Sequence, residues 1–300
     1  MLYNNLSSYF RKTHGKRLKK ICIDAGFSCP NRDGKCGTGG CIYCGERGAG
    51  EHISARMGIK EQVELALKGA DEGELFVAYF QNFTNTYAPV EVLKSRYDQA
   101  LIDDRIVHLA IGTRPDCIDE EIAALIASYK DRVGVWVELG LQTANDKTAK
   151  IINRGYDTKV FEHAVKILEK YEIPVCIHLI VGLPGESQED IKSTCKYLSQ
   201  FDIWGVKIHS IYVMEGTALA DMYYRGEYDP PSLDEYAKLA SYIISHLRED
   251  IIIHRITGDC PKELLVAPRW NENKNEIIEK IRNYMNEHHL KQGSLYGDFD

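Results

Sequence analysis

The chain has no run of about 18 apolar residues, so no membrane-spanning helix is expected of it. Met1 to Phe10 lacks the apolar stretch of a signal peptide, which leaves the cytoplasm as the expected compartment. A surplus of positive charge is missing too. The formal net charge is −7, which argues against nonspecific nucleic-acid binding over the whole surface. No long Ser/Gly/Pro linker divides the 300 residues, and no repeat shows beyond a strand–helix period. That length suits one large α/β domain or two smaller ones.

Cysteine, by contrast, is plentiful and concentrated. In such a chain nine cysteines point to reduced thiols or ligands rather than disulfides. Four fall within sixteen residues, Cys29-Pro30-Asn31-Arg32-Asp33-Gly34-Lys35-Cys36-Gly37-Thr38-Gly39-Gly40-Cys41-Ile42-Tyr43-Cys44. That density indicates a soft metal or a cluster. Just upstream, residues 11–20 carry six Lys or Arg, either a solvated face or a contact for an anionic partner.

Short β-like runs then alternate with helical patterns. Strands are expected at Ile21–Ile23, Leu75–Phe80, Ile106–Gly112, Val133–Leu139 and Pro174–Val181, with another inside Phe201–Val213. Helices are expected near 59–69, from Pro89 to about Leu101, over 120–130 capped by Asp119, near 145–153 and 158–171, and from Ser187. Repeated strand–helix alternation implies a parallel sheet with helices outside. About six such units reach residue 227, short of the eight of a closed (β/α)8 barrel. The expectation is therefore a partial (β/α)6 TIM-like barrel over residues 21–227, behind a basic segment at 1–20. A C-terminal α/β extension at 228–300 would pack on it, with a helix at 232–249, a strand at Ile251–Ile256 and a helix from about 274.

Thiolates suit both zinc and iron–sulfur clusters. Zinc would take Cys29, Cys36, Cys41 and Cys44 together; a cluster would take three of them and leave one iron open. Zinc ribbons pair closely spaced knuckles, and the Cys29–Cys36 gap is too wide for one. The loop also follows the first strand of a parallel sheet, at the end where α/β active sites form, and several other strand ends carry polar residues.

With Cys-Pro-Asn-x-Asp-Gly … Gly-Thr-Gly-Gly-Cys-x-Tyr-Cys in place, the chain resembles a radical S-adenosylmethionine (SAM) enzyme. It is most similar to the YtqA/YhcC branch, related to the radical domain of the Elongator catalytic subunit. Other matching segments include Tyr79–Ala88, Gly112–Cys117, Glu138–Gln142, Asn153–Tyr156, His178–Glu186, Lys207–His209 and His254–Asp259. The resemblance implies a [4Fe-4S] cluster on Cys29, Cys41 and Cys44, with Cys36 left out, and SAM as second cofactor. Gln81, Glu138, Gln142, Arg154 and His178 become SAM contacts, and Tyr43 a neighbour of the adenine. Lys207, His209, His254 and Arg255 are candidates to meet an anionic substrate, with Lys207, His209 and Arg255 as the catalytic set.

For function, the resemblance implies work on the wobble uridine of tRNA. A carboxymethylaminomethyl group at carbon 5 would be processed toward aminomethyl-(2-thio)uridine. Expected partners are tRNA, met through residues 11–20, and an electron donor such as flavodoxin or ferredoxin; no membrane is involved. A radical SAM enzyme acting on a small metabolite or peptide is the alternative, and a zinc-binding interaction protein the third.

Overall fold

Successive side chains of a strand point to opposite faces, and these strands use the alternation to separate an oily face from a mostly polar one. Lys20-Ile21-Cys22-Ile23 and Lys207-Ile208-His209 show the pattern in miniature. A computed structural model describes residues 2–48 and 57–299; residues 1 and 300, the outer ends of the first and last expected segments, lie outside the described residues. In chain order the elements are α1 (Leu6–His14), β1 (Leu18–Ile23), α2 (Ile59–Leu67), β2 (Leu75–Phe80), α3 (Val90–Ala100), β3 (Ile106–Thr113), α4 (Glu120–Ala127) and β4 (Gly134–Gln142). Then come α5 (Asp146–Ile151), α6 (Thr158–Lys170), β5 (Val175–Val181), α7 (Gln188–Leu198), β6 (Gly205–Ser210), β7 (Val213–Met214), α8 (Ala218–Tyr224), α9 (Leu233–His246), β8 (Ile252–Arg255), β9 (Leu265–Ala267) and α10 (Lys274–Glu287).

Seven parallel strands form one curled sheet in the order β1-β2-β3-β4-β5-β6-β8. The expected partial barrel is present, with one strand more than the six counted in residues 21–227. The seventh strand, β8, comes from the C-terminal stretch and sits beside β6 because the chain first runs back along α9. β1 and β8 do not pair, so the barrel stays open along one side.

The outward strand residues, among them Ile23, Phe80, Leu109, Val137, Ile177 and Ile208, are fully or almost fully buried under the helices. Each such side chain contributes roughly 1.5–3 kcal/mol on burial. Helix starts are locally specified. Asp119 accepts from the backbone of Ile122, and Ser187 with Asp190 and Ser232 with Glu235 form capping boxes.

Three features have no counterpart in the sequence reading. α1 crosses the N-terminal end of the barrel, where Phe10 meets His108 and Trp136, and Tyr9 meets Trp204. It is held there by residues 4 and 5: Ile253 donates to the Asn4 carbonyl, and Asn5 bridges to Ile253 beside β8. β7 pairs antiparallel with β9, and with α8 they build a small apolar cluster around Leu183, Val213 and Leu219.

Candidate active site

The cysteine loop leaves the C-terminal end of β1 and is pinned on several sides. Asn31, fully buried, donates from Nδ2 to the Asn153 carbonyl at 2.6 Å and reaches Cys41 Sγ at 3.9 Å. Glycine is required at 37, because a Cβ there would stand 2.4 Å from Asn31 Oδ1. At Gly40, with φ +79°, a Cβ would meet the Arg32 side chain at 2.9 Å. Arg32 in turn donates to the carbonyls of Cys44, Gly45 and Glu46. Ile42 and Tyr43 pack against the small cluster of β7, β9 and α8, and the Leu219 amide donates to the Ile42 carbonyl.

Cys29, Cys41 and Cys44 all line the cavity at the barrel mouth, whereas Cys36 is exposed outside it. A hydrogen bond from Cys44 lowers the Cys41 thiol to about 6, against the opposing effect of burial. One zinc ion with Zn–S bonds of about 2.3 Å needs sulfurs roughly 3.8 Å apart. Among the described residues, the set of three ligand atoms lying within 4.8 Å of one another belongs to Glu138, Cys176 and His254, not to the loop cysteines. No three loop thiols thus lie within 4.8 Å of one another among the described residues, and three thiolates lining one cavity are a donor set suited to an iron–sulfur cluster. The Glu138 set is no cation site either, because the Lys207 ammonium already sits on that carboxylate.

Below the loop the inward strand residues form a charged floor. Glu138 is buried and accepts from Lys207 Nζ, from His178 Nε2 at 2.8 Å and from Trp136 Nε1 at 3.0 Å. Burial alone would raise its pKa, but the Lys207 charge and the His178 bond outweigh burial and hold it well below the usual carboxylate range. Lys207 also donates to the Tyr79 hydroxyl at 3.0 Å and lies 4.4 Å from that ring's centroid. The His178 and His209 rings lie 5.1 Å apart and tilted by 50°; burial foremost lowers both, leaving neutral rings at pH 7.

Eleven of the thirteen residues assigned a role from sequence line this one cavity: Cys29, Cys41, Cys44 and Tyr43 from the loop, and Gln81, Glu138, Gln142, His178, Lys207, His209 and Arg255 from the strands. Three assignments change in detail, those of Arg154, Glu138 and His254. Arg154 is fully buried outside the cavity lining, and its guanidinium is spent on the carbonyls of Leu141, Thr143 and Tyr156 and on Asp146. It ties the turn after β4 to the stretch after α5 that carries Asn153, the partner of Asn31. Glu138 borders the cavity, but its carboxylate is taken up inside the protein.

Gln142 reaches the cavity through a left-handed backbone, φ 61°, an unusual state for a non-glycine residue. Gly140 leaves the room: a Cβ there would stand 2.4 Å from Gln142 Nε2. Tyr156 then donates to the Gly140 carbonyl at 2.5 Å and stands 3.2 Å from Gln142 Oε1. His254 is buried beneath the cavity, edge-on to Trp136 and Trp204, rather than facing a substrate.

Sequence reading missed Lys20, Cys22, Tyr79, Arg114 and Tyr156 in the lining. For Lys20, Cys22 and Tyr79 the signal was available: each stands two residues from another inward position on its strand. Arg114 is held by a two-point contact with Asp116, at 2.8 and 2.7 Å, and nothing in its local pattern announces it.

Residues 34–198 match the family model described as Radical SAM superfamily, and residues 203–287 match the Radical_SAM C-terminal domain. The uncharacterized protein YtqA of Bacillus subtilis is 36% identical over 302 residues, 98% of this chain and 92% of that one. The tRNA uridine(34) acetyltransferase of Methanocaldococcus jannaschii is 32% identical over 193 residues, 63% of this chain and 34% of that protein. Among solved structures, Methanocaldococcus infernus Elp3 superposes with a TM-score of 0.66 at 24% identity, over 79% of this chain and 62% of that one, a likeness of fold.

Proposed function

The chain belongs to the radical SAM superfamily, and on that premise we propose that it modifies the wobble uridine of tRNA, processing a carboxymethylaminomethyl group at carbon 5 toward aminomethyl-(2-thio)uridine. The observation that carries this reading is the sequence likeness to tRNA uridine(34) acetyltransferases, joined to a cavity whose floor and open side hold Lys20, Lys207 and Arg255. Cations placed there suit a substrate that ends in a carboxylate.

A [4Fe-4S] cluster and SAM, the cofactors of this superfamily, supply a 5′-deoxyadenosyl radical when bound. Cys29, Cys41 and Cys44 would hold the cluster. Gln81 and Gln142, at the ends of β2 and β4, would fix the polar groups of SAM, with Tyr156 keeping Gln142 turned inward. Tyr43, backed by the apolar cluster behind it, would cover the loop side of the site. Lys207, locked on Glu138 and Tyr79, fixes the floor against which the substrate is positioned, while His178 and His209 offer neutral rings able to accept a proton.

Residues 11–17 lie at the start of β1, while the cysteine loop leaves its end, about 20 Å away along a six-residue strand. Contacts from that stretch would therefore meet tRNA far from the reacting base. Lys16 and Lys19 are already engaged with the Gly73 carbonyl and with Glu74.

Nucleoside analysis of tRNA from a deletion strain tests the reading. The carboxymethylaminomethyl nucleoside should accumulate and the aminomethyl form should fall. Wobble uridines identical to those of the parent strain would overturn it.

A further inference from the structure

The open side of the barrel lies between β1 and β8, and its inward side chains include Lys20, Cys22 and Arg255. Lys20 and Cys22 are exposed although they point inward, so solvent reaches the cavity between these edges. The charges there do not cancel. Of the acidic groups lining the cavity, Glu138 is committed to Lys207 and His178. Asp259 is committed to Lys274 at 2.8 Å and stands 3.7 Å from Arg255, beyond hydrogen-bond range.

Lys20 therefore has neither an ion pair nor a hydrogen bond among the described residues; its ammonium stands 5.2 Å from the centroid of the Tyr79 ring. Arg255 likewise keeps its guanidinium donors free of hydrogen bonds among the described residues. Although its side chain touches solvent, Lys20 is ringed by protein atoms, and that desolvation, with the charges of Lys207 and Arg255, presses its pKa down to about 8, Glu138 opposing only in part. Lys20 is thus uncompensated and Arg255 only partly offset by the Asp259 carboxylate it shares with Lys274, a cost that a bound anion would relieve.

We propose that Lys20 and Arg255 form a receptor for a carboxylate of the substrate, which enters between β1 and β8 and comes to rest beside the Tyr79 ring. The proposal rests on the wobble-uridine reading for the identity of that substrate: the carboxylate is the end of the carboxymethylaminomethyl group, which the aminomethyl product lacks. SAM also carries a carboxylate. Lys20 lies in register with Val77, a full two-residue repeat deeper than Cys22, whereas the cysteine loop follows the outer end of the same strand. That depth favours the substrate as the source.

Competitive trace acetylation of lysines, read by peptide mass at pH 8 on the anaerobically reconstituted protein, tests this without measuring turnover. Lys20 should label faster than Lys12 or Lys262. With 5-carboxymethylaminomethyluridine at ten times its Kd, labelling of Lys20 should fall about tenfold. The aminomethyl nucleoside and SAM should leave it unchanged, and Arg255→Gln should weaken the protection while Lys20 stays reactive. Protection by N-methylglycine, the free tail, without protection by the nucleoside would keep the receptor and overturn the uridine reading. Protection by SAM alone would assign the receptor to the cofactor, and no protection by any carboxylate would overturn it altogether.

Discussion

Above and below the level of Glu138 the same strands enclose opposite interiors. Above it the inward residues are Gln81, Gln142, His178 and His209, facing an open cavity. Below it they include Trp136, Ala110, Val77 and Ile252, sealed by Leu6 and Phe10 of α1, while at the open edge Lys20 and Cys22 of β1 still reach the cavity. The outer faces of these strands are mostly apolar along their length, Lys19 on β1 being an exception. Depth along the strand, not the inward–outward alternation, separates chemistry from packing, and Glu138 with Lys207 marks the boundary. A charge pair at that level also explains why Trp136, a plug residue, donates its indole N–H upward to Glu138.

Breaking the boundary should have the largest effect. Lys207→Met leaves the Glu138 carboxylate buried and unpaired, and should cost about 3–5 kcal/mol in urea unfolding. Adding Glu138→Gln to that variant should restore most of the loss, because no buried charge then remains. If the single and double variants unfold alike, the pair does not carry the floor.

A smaller effect should expose the lower half. Burial, assisted by the charge of His14, holds His108 at about 4, and His14 Nε2 stands 2.9 Å from its Nε2. A histidine with a depressed folded pKa stays neutral when folded but takes up a proton when unfolded. Its contribution is therefore present above pH 6.5 and lost as pH falls toward 4. Between those limits stability should drop by up to about 3 kcal/mol, and His108→Gln should flatten that part of the profile. An unchanged profile in the variant would remove the plug from the pH response.

The two halves were not equally legible. Leu75–Phe80 and Pro174–Val181 announce themselves as apolar runs, and Asp119 and Ser187 mark helix starts, so the βα frame could be read from residue types. The cysteine loop was legible because its ligand chemistry is local. α1 was not: its N-cap at Asn5 and the Leu6–Phe10 pair are present, but only the barrel end gives that face something to bury against. β8 was readable as a strand, yet its place beside β6 depends on a return through α9 that no local pattern specifies. Arg154 fell in a matching motif for a reason sequence cannot separate from ligand binding. A buried guanidinium that ties down a turn and one that holds a carboxylate use the same donors. Lys20 was read as part of a basic stretch, although alternation on β1 turns it into the barrel.

The central claim is that the loop's thiols are not equivalent and that three of them, open to the cavity, define the site. It is tested most directly by 5′-deoxyadenosine formation from SAM, measured under reductant after anaerobic reconstitution with iron and sulfide. Cys41→Ala should form none above background, while Cys36→Ala should match the unaltered protein. Product from the Cys41 variant, or its loss in the Cys36 variant, would contradict the account.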